Sequence, residues 1–93
     1  MRDWSDLEPA AELDLHGQSV LEAVANAERF LLAQRKARSG ATVRIVTGRG
    51  SSGGGAPIRT RVRTLLRRFR EEGRVVRDYL LEDTEGSFLV RLR

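Results

Sequence analysis

The feature of this 93-residue chain that most narrows its fold is a change in the spacing of apolar residues, from every second position to helical spacing and back, twice over. From Glu12 to His16 polar residues alternate with Leu13 and Leu15, the pattern of a half-buried strand, and Gly17 ends it. Ser19 followed by Glu22 is a capping box. Val20, Ala23, Val24, Ala27 and Leu31 then recur at helical spacing with Phe30 on the flank, which predicts a helix from about Val20 to about Ala37, stopping before Gly40. The β-branched run Thr42–Val46 predicts a second strand. A glycine-rich loop follows, and Pro57 suits the first turn of a second helix. Ile58, Val62, Leu65, Leu66 and Phe69 form the buried face of that helix, which ends near Gly73. Val75–Leu81 predicts a third strand, Asp83–Gly86 a turn, and Phe88–Leu92 a fourth strand closing a hairpin.

The order β-α-β-α-β-β makes strands joined through helices parallel, with right-handed crossovers, and adds an antiparallel strand through the final hairpin. The expected fold is α/β (α+β): a two-layer βαβαββ sandwich with a mixed four-stranded sheet, helices on one face and the other face partly open. Residues 1–10 form a polar arm ending at Pro9, which Trp4 and Leu7 could pin to the body, and residues 11–93 form the domain. Leu21, Ala25 and Leu32 make a second apolar strip on the first helix, available to the arm or to another subunit. There is no internal repeat.

The length fits one small domain. With no cysteine, a disulfide framework and a thiolate zinc site are excluded. No apolar run is long enough to span a bilayer, and the N-terminus lacks the pattern of a signal peptide, so a soluble, cytoplasmic protein is expected. The net charge of +4 is unevenly spread: residues 40–80 carry ten arginines against Glu71, Glu72 and Asp78, a local balance of +7. Sixteen of the seventeen basic residues are arginine. A GC-rich genome would explain arginine over lysine but not the clustering, which suits a surface that meets phosphates.

The loops after the first two strands leave from the carboxyl ends of parallel strands, where open α/β sheets bind ligands. Asp14 and His16, two apart on a strand, project from one face, and a carboxylate beside an imidazole orients the ring and supports proton transfer near neutral pH. A histidine at a strand end that merely bonds the adjacent loop has the same spacing. No second histidine or cysteine completes a transition-metal set, although Asp14 could hold Mg²⁺ through waters. The loop Thr47-Gly48-Arg49-Gly50 and the glycines beyond it can present backbone N–H groups to an anion at a helix N-terminus, with Arg49 free to reach a phosphate. Gly48, Gly50 and Gly53 formally match a dinucleotide fingerprint, but they follow the second strand, and no strand-end acid lies at the required distance. A Walker A loop fails because no Gly-Lys-Ser/Thr follows. On the second helix Arg59, Arg63 and Arg70 line one flank with Arg67 beyond them, while Arg61 and Arg68 lie on the opposite flank. Few carboxylates compensate the first group, which favours a phosphate track over a solvated face. Tyr79 and Phe88 alone offer stacking on the strands, so recognition of backbone and shape is expected.

Leu13-Asp14-Leu15-His16-Gly17 resembles the LDLHG motif of small MutS-related (Smr) domains, and Thr47-Gly48-Arg49-Gly50 resembles their TGxG motif, in the same order and after the same strands. Ile58-Arg59 is similar to the Leu-Arg pair that opens the family's second helix. The resemblance covers roughly residues 11–93. It implies a fold like the C-terminal domain of translation initiation factor 3, and nicking endonuclease activity on DNA or, in some relatives, RNA. It also implies that Asp14, His16 and Arg49 carry activity, while the glycine loop and the second-helix flank read above would set Gly48, Gly50, Arg59, Arg63, Arg67 and Arg70 against nucleic acid. The chain departs from its relatives before the last strand, where it has only Glu85-Gly86-Ser87 in place of a longer Gly-rich segment. No MutS-type ATPase or clamp region is present, so the expectation is a stand-alone domain or a piece of a larger protein. Two further readings stay open: a nucleic-acid-binding or recruitment module without catalysis, and a small-molecule phosphate site in the glycine loop.

Overall fold

A computed structural model describes residues 8–48, 55–82 and 86–93. Six elements follow one another: β1 (Glu12–Asp14), α1 (Val20–Ala37), β2 (Thr42–Val46), α2 (Gly55–Glu71), β3 (Val76–Leu81) and β4 (Ser87–Leu92). The two-layer, mixed four-stranded architecture is the one the apolar spacing predicts.

The sheet order is β1-β2-β4-β3. β1 runs parallel to β2, with Asp14 opposite Val46, while β4 pairs antiparallel with both β2 and β3. The three strands that precede or follow a helix therefore share one direction, as expected, and the last strand lies between β2 and β3. A register shift between Val76 and Asp78 places a bulge at the start of β3.

α1 begins where its cap dictates. The Ser19 hydroxyl accepts from the Glu22 N–H at 3.1 Å, and the Glu22 carboxylate accepts from the Ser19 N–H at 3.2 Å. Ala23, Ala27 and Leu31 are fully buried, and the two alanines let this helix lie close to the sheet. Ile58, Val62, Leu65, Leu66 and Phe69 bury the face of α2. Beneath the helices lie Leu15, Val43, Ile45, Val76, Phe88, Val90 and Leu92, so one apolar core is shared by both layers. The opposite sheet face carries exposed Glu12, Asp14 and Arg91, but Leu89 on that same face is buried.

Three strand boundaries differ from the expectation, the smallest difference being at β4, which starts at Ser87 rather than Phe88. β1 ends at Asp14 rather than His16: the Leu15 N–H still donates to the Val46 carbonyl at 2.7 Å, but Gly17 takes φ +81° and turns the chain away. β3 begins at Val76, because Val75 adopts φ +60°, a left-handed conformation uncommon for a β-branched residue. Buried Val75 is nonetheless held there, with its carbonyl accepting from the Arg93 N–H at 2.9 Å. The strip of Leu21, Ala25 and Leu32 stays outward, with Leu21 84% exposed. Beside Leu21, a cleft of about 400 Å³ opens between the helices, lined by Val20, Val24, Arg61, Thr64, Leu65 and Arg68. The arm residues 1–7, the loop 49–54 and the hairpin turn 83–85 lie outside the described residues, and with them Trp4, Leu7, Arg49 and Gly50.

Candidate active site and basic flank

Sheet register brings the two motifs to one edge. Asp14 stands opposite Val46, and Val46 opposite Ser87, so β1, β2 and β4 align side by side in that row. The residues that come next, His16 after β1 and Gly48 after β2, leave the sheet at the same edge from neighbouring strands. Burial of Leu15 anchors the first of these exits. Gln18 ties its loop to α1 by accepting from the Asn26 side-chain amide at 2.9 Å.

Asp14 and His16 form a local pair. One carboxylate oxygen, Asp14 Oδ1, lies 2.8 Å from His16 Nδ1 and also accepts the His16 backbone N–H at 3.0 Å. The side-chain bond and then the backbone bond hold the Asp14 carboxyl below its ordinary value of 3.8. An ionised carboxylate can only accept, so the ring nitrogen facing it carries a proton, and in the neutral ring Nε2 is left with a lone pair. The His16 side chain is 71% exposed and that of Asp14 51%. Such an imidazole can take a proton from, or return one to, an oxygen that approaches from solvent.

The second exit is fastened from β4. The Gly86 carbonyl accepts from the Thr47 N–H at 2.8 Å, the Gly48 N–H at 3.0 Å and, at 3.4 Å, the Thr47 hydroxyl. Gly48 turns here with φ +85°, a conformation that favours glycine. Its amide hydrogen is thus committed to the Gly86 carbonyl. Arg49 and Gly50 lie outside the described residues. Spacing alone gave no sign of Gly86 as an anchor beyond the turn chemistry of its segment.

A second group that the motifs did not reveal sits beside this edge. Arg44 makes a two-pronged ion pair with Glu82, at 2.7 and 3.0 Å, and reaches Glu12 at 3.4 Å. The Ser87 hydroxyl donates to the same Glu82 carboxylate at 2.6 Å. Hydrogen bonding from the Arg44 guanidinium holds the Glu82 carboxyl below its ordinary range, against a smaller opposing effect of burial. Glu82 in turn raises the Arg44 value.

The arginines of α2 divide between two flanks as their spacing predicts. Arg68 faces α1 and reaches Glu28 at 3.3 Å, while Arg61 lines the interhelical cleft. On the other side Arg63 lies 5.9 Å from the Phe88 ring centroid, and Arg70 lies 4.7 Å from that of Tyr79. Arg70 also reaches Asp78 at 3.3 Å, so its charge is partly compensated, whereas exposed Arg67 makes no ion pair with a described residue. Arg59, in the first half of α2, is half-buried. Phe88 is fully buried, which removes it as a stacking surface; Tyr79 is half-buried under Arg70. Among the described residues no three His, Asp or Glu side chains converge to hold a metal ion, and no helix is long and apolar enough to cross a membrane.

The Smr domain family model matches residues 13–93, from the first residue of the LDLHG motif to the end of β4 and one residue beyond. The chain belongs to the Smr domain family, which is associated with nucleic-acid binding and nuclease activity. No curated relative and no solved structure matches it.

Proposed function

We propose that this Smr domain is an endonuclease that nicks DNA, or RNA, with His16 as the proton-transfer group. The observation that carries the reading is the 2.8 Å contact between Asp14 and His16 at an exposed sheet edge next to the Thr47–Gly48 exit. The scissile phosphate sits between the two loops. Water attacks phosphorus while the bond to one bridging oxygen breaks; His16, oriented by Asp14, moves a proton at the attacking or the leaving oxygen. Arg49 and the amides of the glycine loop beyond Gly48 stabilise charge on the phosphoryl oxygens. Arg59, Arg63, Arg67 and, less freely, Arg70 guide the strand backbone, with Arg67 the most available.

The deciding experiment is a cleavage panel of branched, single-stranded and duplex DNA and RNA, with and without EDTA, on the parent and on His16→Ala. Loss of nicking by about 10²–10⁴-fold with binding nearly intact is the expected result for His16→Ala. Equal nicking by the two proteins removes His16 from the chemistry. Salt-sensitive binding with no product from the parent leaves a binding module. The EDTA arm shows whether Asp14 acts with Mg²⁺.

A further inference from the structure

We propose that Glu82 is a positioning residue of the candidate site, acting through the base of the β3–β4 hairpin on the Thr47–Gly48 turn; this rests on the endonuclease reading for its effect on rate, though not for its effect on structure. Glu82 closes the hairpin twice over. Its N–H donates to the Ser87 carbonyl at 2.9 Å, and its carboxylate accepts from the Ser87 hydroxyl at 2.6 Å. The same carboxylate is gripped by the Arg44 fork from β2. Glu82 is thereby linked to β2 and β4 at once, across 38 residues in one direction and five in the other.

What this fixes is the place of Gly86, the immediate neighbour of Ser87. The Gly86 carbonyl is the shared acceptor for the Thr47 and Gly48 amides. Those two residues lead directly into Arg49. A carbonyl displaced by a fraction of an ångström would misdirect the turn, and a rate that depends on aligned donors falls steeply with such displacement. Glu82 itself does not touch the Asp14–His16 pair in any contact of the structure. Its bonds run to Arg44 and Ser87, so its influence passes through the backbone. A bidentate guanidinium–carboxylate pair suits this use because it fixes direction as well as distance. An ordinary surface pair, such as Arg74 with Glu72, does not.

The test compares the full chain with Glu82→Gln and Ser87→Ala. Amide hydrogen exchange is read by NMR at Thr47 and Gly48, with the Leu92 amide, which bonds Ala41 at the far end of the sheet, as reference. Exchange at Thr47 and Gly48 should quicken about tenfold relative to Leu92 in Glu82→Gln, and by less in Ser87→Ala, which keeps the ion pair. In single-turnover and steady-state nicking, kcat should fall about five- to tenfold in Glu82→Gln with KM unchanged. Equal quickening at all three amides would mean general destabilisation and would overturn the proposal. So would a selective change at Thr47 and Gly48 with kcat unaltered. If the parent makes no nicks at all, the endonuclease reading fails, and the exchange pattern decides by itself whether Glu82 positions the turn.

Discussion

Asp14 and His16 are bonded to each other twice, through side chain and backbone, both times at the same carboxylate oxygen. This double grip is local: it needs only the end of β1 and the turn at Gly17, where φ is +81°. The orientation of the ring therefore does not wait on distant packing. Asp14 Oδ2 takes no part in these bonds, and the Asp14 side chain is half exposed.

Asp14→Asn should lower nicking by at least about tenfold, because a neutral amide no longer selects the Nδ1–H form of the ring. Imidazole ¹⁵N shifts check this directly. The parent should show Nδ1 protonated in the neutral ring, and the variant a mixture of the two tautomers. An unchanged ¹⁵N spectrum would mean that the carboxylate does not set the tautomer.

Binding and its salt dependence separate the arginines. Arg67→Ala should make the log–log salt slope less steep by about 0.9, the value for one lost phosphate contact. Arg70→Ala should change the slope less and the melting temperature more, because Arg70 already holds Asp78 and covers Tyr79. Salt titrations of both variants on one duplex distinguish the roles, and identical slopes would argue against Arg67 as a contact.

Acid should erase the contribution of Glu82 to stability. Its folded value lies below the ordinary 4.5, so the stabilisation is complete above that pH and is lost as pH falls through the lower folded value. At neutral pH Glu82→Gln should cost about 1 kcal/mol, a fall of about 4–8 °C in Tm. The difference from the parent should shrink below pH 4.5. A gap that stays constant into acid would show that charge at this position contributes little.

Ser19→Ala removes the reciprocal cap of α1 and should cost about 1 kcal/mol, again about 4–8 °C. Nicking measured well below the melting transition should be unaffected, since neither Ser19 nor Glu22 bonds to Asp14, His16 or Thr47. A loss of rate with Tm unchanged would tie the cap to the site instead.

Local rules made much of this molecule legible from sequence. Val20–Ala37 follows from a capping box and one apolar stripe, and the structure has the same bounds. The two flanks of α2 follow from helical spacing. What spacing could not supply was pairing across the sequence. Arg44 and Glu82 lie 38 residues apart, and Arg68 and Glu28 40 apart, so nothing local announces either ion pair. Val75 is a different case: its side chain is a typical strand residue, while its φ of +60° falls in the bend that follows the Glu72–Gly73 turn. The motifs located the two exits from the sheet, but the carbonyl that pins one of them belongs to Gly86, in a segment that reads only as a turn.

The order β1-β2-β4-β3 also bears on synthesis. β2 and β3 have no bond to each other except through β4, the last of the six elements to leave the ribosome. Until Leu92 clears the exit tunnel, the nascent sheet has a gap at its centre and the helices have half a floor to rest on. This domain must therefore complete its fold in one late step rather than strand by strand as it is translated, and a stop codon anywhere in Ser87–Leu92 should leave the whole unit unfolded rather than slightly shortened.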